Sequence, residues 1–309
     1  MSVIEAAGLS KSYGRTRAVD GLTFEVQPGL VTGFLGPNGS GKSTTMRMIL
    51  GLDRPDAGSV TLGGRRYHDL PWPLREVGAL LEATAVHPGR SARNHLLSLA
   101  QSNAIPSARV EQVLDQVGLT AVAGRRVGKF SLGMSQRLGI ASALLGDPGV
   151  LLFDEPINGL DPEGILWVRN LLKALAAEGR TIFVSSHLMS EMALTATNLV
   201  VIGRGSLIAD TTVQDFINSN TEATVLVRSP DAGRLTGLLV EAGASVVSRD
   251  DGGLEVTRAT PAEIGDVAHS AGIRLHELSP QQASLEDVFM ELTSDAVDFH
   301  GSADMARSA

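Results

Sequence analysis

"GPNGSGKST", residues 36–44, decides the fold once its flanks are read with it. The run fits the pattern Gly-x-x-x-x-Gly-Lys-Ser. Ahead of it "LVTGFL" (30–35) is an apolar strand. Behind it "TTMRMILGL" (44–52) carries Met46, Ile49 and Leu50 at helical spacing, with Gly51 placed to stop the helix. Strand, glycine-rich loop and helix is the order that turns consecutive backbone N–H groups onto a phosphate and adds the partial positive charge of a helix N-terminus. The candidate nucleotide-binding residues are therefore Gly36, Pro37, Asn38, Gly39, Ser40, Gly41, Lys42, Ser43 and Thr44. Lys42 is expected to reach the terminal phosphates and Ser43 to ligate Mg²⁺.

A nucleotide bound with Mg²⁺ also needs an acid for the metal's shell and a base for an attacking water. "GVLLFDEP" (149–156) closes an apolar strand with Asp154 and Glu155. Neighbouring strand residues point to opposite faces, so the two carboxylates should do different jobs. Asp154 is expected to hold the Mg²⁺ shell and Glu155 to orient and deprotonate water. His187 ends the next strand, "TIFVSSH" (181–187), where it could donate a hydrogen bond to a γ-phosphate. Between them "ILWVRNLLKALAAEG" (165–179) reads as a crossover helix closed by Gly179. Apolar strands alternating with helices predict an α/β fold with a parallel sheet covered on both faces and functional loops at the strands' carboxyl ends. "LTFEV" (22–26) alternates as a half-buried strand does, and residues 85–146 read as mostly helical, with "ARVEQVLDQVG" (108–118) clearly amphipathic.

At 309 residues and 43% hydrophobic content the chain has room for two cores. The expected division is 1–220 and 221–309. The second part reads as βαββαβ, a ferredoxin-like order: strand 223–229, helix 232–243, a hairpin over 245–250 and 254–258, helix 261–272 and strand 273–278. "SLEDVFMELT" (284–293) adds a helix capped by Ser284, and the tail from Ser294 is expected to be loose. This part carries no cluster suggesting chemistry of its own, which leaves dimer stabilisation or regulation as its expected role. The formal charge of −8 argues against a nucleic-acid partner, because a polyanion is held by a basic surface. With no cysteine, disulfides and thiolate chemistry are excluded. No run reaches the roughly eighteen apolar residues of a membrane span, and no signal peptide is legible, so a soluble cytosolic chain is expected.

"FSLGMSQRLGIASALLGDP" (130–148), a helix with Ser131 as N-cap, resembles the signature motif of ABC (ATP-binding cassette) ATPases. With the phosphate loop, "LLFDEP", "NGLDP" and "SSH" the resemblance spans roughly residues 3–220. It implies an α/β P-loop cassette with a mixed sheet core, N-terminal antiparallel strands and a helical insertion. It further implies a homodimer in which each ATP, with Mg²⁺, is sandwiched between one chain's P-loop and the partner's signature helix. By position Tyr13 looks like the aromatic that stacks on adenine, Asp161 like the acid reaching across the dimer, and Ser131, Gly133 and Met134 like the signature residues facing the other chain's ATP. Three positions depart from the pattern. Leu132 and Met134 stand where the signature usually has glycine and glutamine, and Glu82 stands where a metal-sensing glutamine is usual.

The layout, including "LLEATAVHPGRSARNHL" (80–96) and "SLEDVFMELT", is similar to the ATP-binding subunits of bacterial drug, bacitracin and lantibiotic exporters. That resemblance implies a separately encoded transmembrane permease as partner and a location on the cytoplasmic face of the plasma membrane. An importer's ATPase subunit and a soluble ABC ATPase remain as alternatives. About ninety residues separate Lys42 from Ser131, too few for the long coiled coil of the DNA-acting members.

Overall fold

The protein is described here from a computed structural model covering residues 3–219, 224–281 and 284–293. The tail from Ser294 and the expected boundary at residue 220 lie outside the described residues. Two compact units are present, one running to Val213 and one over Gln214–Leu292.

The first unit opens with β1 (Ile4–Tyr13) and β2 (Thr16–Val26), an antiparallel pair, followed by β3 (Val31–Leu35), α1 (Lys42–Ile49) and β4 (Ala57–Leu62). Next come the short helix α2 (Pro73–Glu76), β5 (Val77–Leu80), and the helices α3 (Ala92–Ser102), α4 (Ala108–Gln116) and α5 (Leu132–Leu144). The unit continues with β6 (Val150–Asp154), α6 (Pro162–Ala177), β7 (Thr181–Ser185), α7 (Met189–Thr195), β8 (Asn198–Gly203) and β9 (Ser206–Thr212). Helix α8 (Val213–Ser219) follows and, from Gln214 on, belongs to the second unit.

β2-β1-β4 form an antiparallel sheet, and β5-β6-β7-β3-β8-β9 form a mixed one whose only antiparallel pair is β8 with β9. The β8–β9 hairpin turns through Arg204 and Gly205, both at positive φ, which matches the right-handed twist of the strands it joins. β3 and β7 are buried along their whole length, and β6 up to Phe153, as strands covered on both faces must be. Phe24, Phe34 and Phe183 stack at centroid separations of 4.8–5.9 Å between the sheets. The expected mixed core, N-terminal antiparallel strands and helical insertion are all present.

Glycines set how closely α5 lies on β5. A Cβ at Gly78 would stand 2.0 Å from the Ala143 carbonyl oxygen, and one at Gly139 would meet Leu80 at 2.5 Å. The helix backbone therefore rests directly on the strand, at the end of the sheet beside β6.

The second unit contains β10 (Thr224–Arg228), α9 (Ala232–Glu241), β11 (Ser245–Ser248), β12 (Leu254–Thr257), α10 (Pro261–Ser270), β13 (Glu277–Gln281) and α11 (Leu285–Thr293). Its sheet, β11-β12-β10-β13, is antiparallel throughout, with β12 between β10 and β11; this is the split βαβ order expected of a ferredoxin-like domain. One strand is displaced from its expected range: 273–278 reads as strand, but β13 covers Glu277–Gln281. Helix α10 takes Ile273 instead. Gly272 at φ 66° turns the chain, Gly272 N–H donates to His269 O, and Ile273 N–H donates to Ala268 O, so Ile273 packs back as the apolar end of a Schellman cap. Ser284 caps α11 with Asp287 as its reciprocal partner, as the sequence predicts.

Candidate functional site

The loop between β3 and α1 is built by glycines that no other residue could replace. A Cβ on Gly36 would stand 2.4 Å from Ser40 Oγ and 2.6 Å from the Ile202 carbonyl oxygen, and Gly41 at φ 104° would bring one to 2.3 Å from Ala18 O. The loop encloses a cleft of about 300 Å³ lined by Ala18, Asn38, Gly39, Lys42, Thr44 and Leu81 together with Gly41, Ser43, Asp154 and Glu155. Lys42 is buried, and its Nζ donates to Gly36 O at 2.5 Å and Pro37 O at 3.0 Å. Burial pushes its pKa down, against the pull of Glu155 and Asp154. A desolvated cation folded back on its own loop is a group in want of an anion.

The two carboxylates are separated, but not by strand alternation. β6 ends at Asp154, and Glu155 sits at φ 50°, a left-handed conformation rare for a residue with a side chain. That turn sends the carboxylates apart. Asp154 Oδ2 accepts from Ser43 Oγ at 2.7 Å, whereas Glu155 Oε2 lies 2.7 Å from His187 Nδ1 and accepts from the His187 backbone N–H at 3.3 Å. Non-glycine residues held in such regions concentrate where surrounding structure and chemistry demand them. Ser43 Oγ and Asp154 supply the oxygen donors that Mg²⁺ takes, and no group of three or more acidic or histidine side chains suited to a metal exists among the described residues. The donor set therefore fits a Mg²⁺ that arrives with phosphate oxygens and keeps few protein ligands.

The other expected site residues lie outside this cleft lining. Ser131 caps α5, its Oγ accepting from Met134 N–H at 3.2 Å, and is exposed with Leu132. Gly133 lies on the same first turn, where a Cβ would meet Leu160 at 3.3 Å. Asp161 is exposed and caps α6, accepting from Gly164 N–H at 2.9 Å. Tyr13 is half-exposed at the end of β1, its hydroxyl donating to Asp53 Oδ2 at 2.7 Å. Glu82 is exposed and accepts from Thr84 Oγ1 at 3.0 Å; its neighbour Leu81, not Glu82, lines the cleft.

Two contributors escape a reading of residue types. Buried Ser185 Oγ accepts the Glu155 N–H at 3.0 Å and donates to Asp154 Oδ1, so one hydroxyl fixes both acids. It lies in the "SSH" run, where the histidine draws attention first. Gln136, buried on α5, donates its Nε2 to Glu155 O and Asn158 O, each at 3.3 Å, and joins α5 to the loop after β6. Its neighbour Arg137 donates to Val117 O at 3.1 Å and lies 4.4 Å over the Trp167 ring.

Fold and cleft together define a P-loop nucleotide-binding protein. Comparison with known proteins narrows this. The ABC transporter family model matches residues 19–158, and a model for a domain of unknown function matches 223–286. The bacitracin transport ATP-binding protein BcrA of Bacillus licheniformis is 42% identical over 212 residues, 68% of this chain and 69% of that protein. The Nod factor export ATP-binding protein I of Paraburkholderia xenovorans (strain LB400) is 37% identical over 311 residues, covering 94% and 97%. A solved ATP-binding subunit of an ABC transporter superposes with a TM-score of 0.65 at 27% identity, covering 70% of this chain and 92% of that one. The chain belongs to the ATP-binding subunits of ABC transporters, a family of ATPases. Among the described residues no helix is long and apolar enough to cross a membrane.

Proposed function

We propose that two copies of this chain close on two ATP molecules and drive a separately encoded membrane permease that exports a drug, antibiotic or lipid-like compound. The observation that carries the reading is the split between half-sites. Lys42, Ser43, Asp154 and Glu155 share one cleft, while Ser131 and Gly133, on an exposed helix N-terminus able to bind a phosphate, line none of it. A second copy, head to tail, supplies the missing wall. Closure then depends on the third phosphate, since the exposed α5 N-terminus has nothing to hold once that phosphate has left. The names of the relatives, bacitracin transport and Nod factor export, favour export, and the permease in turn would bring the chain to the cytoplasmic face of the membrane.

Within the site each residue has a defined task. Lys42 exchanges its loop carbonyls for β- and γ-phosphate oxygens. Ser43 and Asp154 would hold Mg²⁺, which supplies charge neutralisation to the phosphates when bound. Glu155 orients the attacking water and takes its proton, with Oε2 held by His187. For His187 to donate to both Glu155 and the γ-phosphate, both ring nitrogens must carry protons. Tyr13 stacks on adenine.

The test is Glu155→Gln. The amide keeps the shape and loses the base, so phosphate release should fall by about 10² to 10⁴ while ATP binding is retained. Size-exclusion with light scattering in saturating MgATP should then show a stable dimer. A variant that stays monomeric under those conditions, with the permease present, overturns the proposal. Reconstitution with the permease and ATP-dependent flux into vesicles tests the direction.

A further inference from the structure

The end of β1 is fastened to the loop that follows α1 by a set of contacts the nucleotide reading does not require. Lys11 Nζ donates to Arg54 O at 2.7 Å and to Asp56 Oδ1 at 3.1 Å, and Ser12 N–H donates to Asp56 Oδ2 at 2.7 Å. Tyr13, the next residue, donates its hydroxyl to Asp53 Oδ2 at 2.7 Å. Asp53 is itself gripped by α1: Arg47 Nε donates to Oδ2 at 2.8 Å and its NH2 to Oδ1 at 3.3 Å. The tyrosine is 48% exposed, with Lys11 Nζ 5.6 Å from its ring centroid and Thr44, a cleft-lining residue, beside its hydroxyl.

An exposed aromatic ring on the last residue of a strand would ordinarily sample several rotamers. Each encounter with a base would then have to freeze it, at a cost in affinity. A carboxylate acceptor, stronger than a neutral one, removes that freedom beforehand, and the Arg47 fork fixes the carboxylate in turn. Because Arg47 lies on the helix whose first turn carries Lys42, Ser43 and Thr44, the chain Arg47–Asp53–Tyr13 locks the ring to the same rigid element that holds the phosphates.

We propose that Asp53 is a positioning residue for the nucleotide, holding the Tyr13 ring in register with the phosphate loop. This rests on the nucleotide-binding reading of Tyr13. Asp53 touches no substrate and acts only through the tyrosine.

The experiment measures MgADP affinity by calorimetry and steady-state ATPase kinetics on the full chain, for wild type, Asp53→Ala, Asp53→Asn, Tyr13→Phe, Tyr13→Ala, the Asp53→Ala/Tyr13→Ala double variant and Lys42→Ala. Asp53→Ala should weaken MgADP and raise KM by about 3- to 10-fold, the range set by releasing one side chain, with kcat unchanged. Tyr13→Phe, which leaves the Asp53–Arg47 pair intact, should match it, and Asp53→Asn, which keeps an acceptor oxygen, should recover most of the loss. In the Tyr13→Ala background Asp53→Ala should add nothing. Affinity within twofold of wild type in both Asp53→Ala and Tyr13→Phe overturns the proposal, as does full additivity in the double variant. Binding lost in Lys42→Ala but intact in Tyr13→Ala keeps the nucleotide site and rejects the positioning role; wild type that binds no MgADP rejects both.

Discussion

Ser185→Ala is the sharpest probe of how the end of β6 is held. Its hydroxyl is buried, receives the Glu155 N–H at 3.0 Å and donates to Asp154. Alanine fits the space and removes both bonds. A buried donor left unpaired costs about 1–3 kcal/mol, and a hydrogen bond to a charged group is worth about 1.5–3 kcal/mol. Asp154 keeps Ser43 and is only half-buried, so its loss falls at the low end, giving about 2.5–4.5 kcal/mol in all. For a unit of this size that is a fall in melting temperature of about 5–15 °C by scanning calorimetry. Glu155, at its strained φ of 50°, loses the bond to its own N–H, so phosphate release should slow by about tenfold or more. A variant that melts within about 2 °C of wild type and keeps its turnover within twofold would refute the claim that this hydroxyl organises the two acids.

Two further outcomes follow from packing and charge. Gly78→Ala should destabilise the first unit by at least 1–3 kcal/mol, roughly the cost of overpacking, because the new methyl meets the Ala143 carbonyl at 2.0 Å; urea unfolding monitored by Trp fluorescence measures it. His95 on α3 has its pKa pushed below the ordinary 6.5 by burial and by Arg90. The unfolded chain therefore binds this proton first, so stability is full above about pH 6.5 and declines as pH falls below it. His95→Gln should flatten that decline in melting temperature between pH 7 and 5, and an unchanged slope would discount it.

The glycine-rich loop after β3, the strand ending at Asp154, helix α5 with its Ser131 cap and the βαββαβ order are all legible because each depends on local chemistry: glycine positions, apolar runs, caps and helical spacing. What escapes is set by contacts distant in sequence. β8 and β9 add to the sheet through Val200 and Val201, whose partners lie on β3 and across the hairpin. Strand alternation gives the right separation of Asp154 and Glu155 for the wrong reason, since the left-handed turn at Glu155 does it. The contacts of Asp53 and Gln136 carry no signal in residue type, because they exist only once Tyr13 and the 155–158 segment are brought beside them.

The grip on α5 has a mechanical consequence. Gln136 holds the carbonyls of Glu155 and Asn158, Arg137 clasps Val117 and Trp167, and a glycine contact seats the helix on β5. A rod pinned at consecutive points cannot absorb a load by stretching. Any displacement of α5 is therefore expected to carry the Glu155–Asn158 segment with it, the two being tied through Gln136.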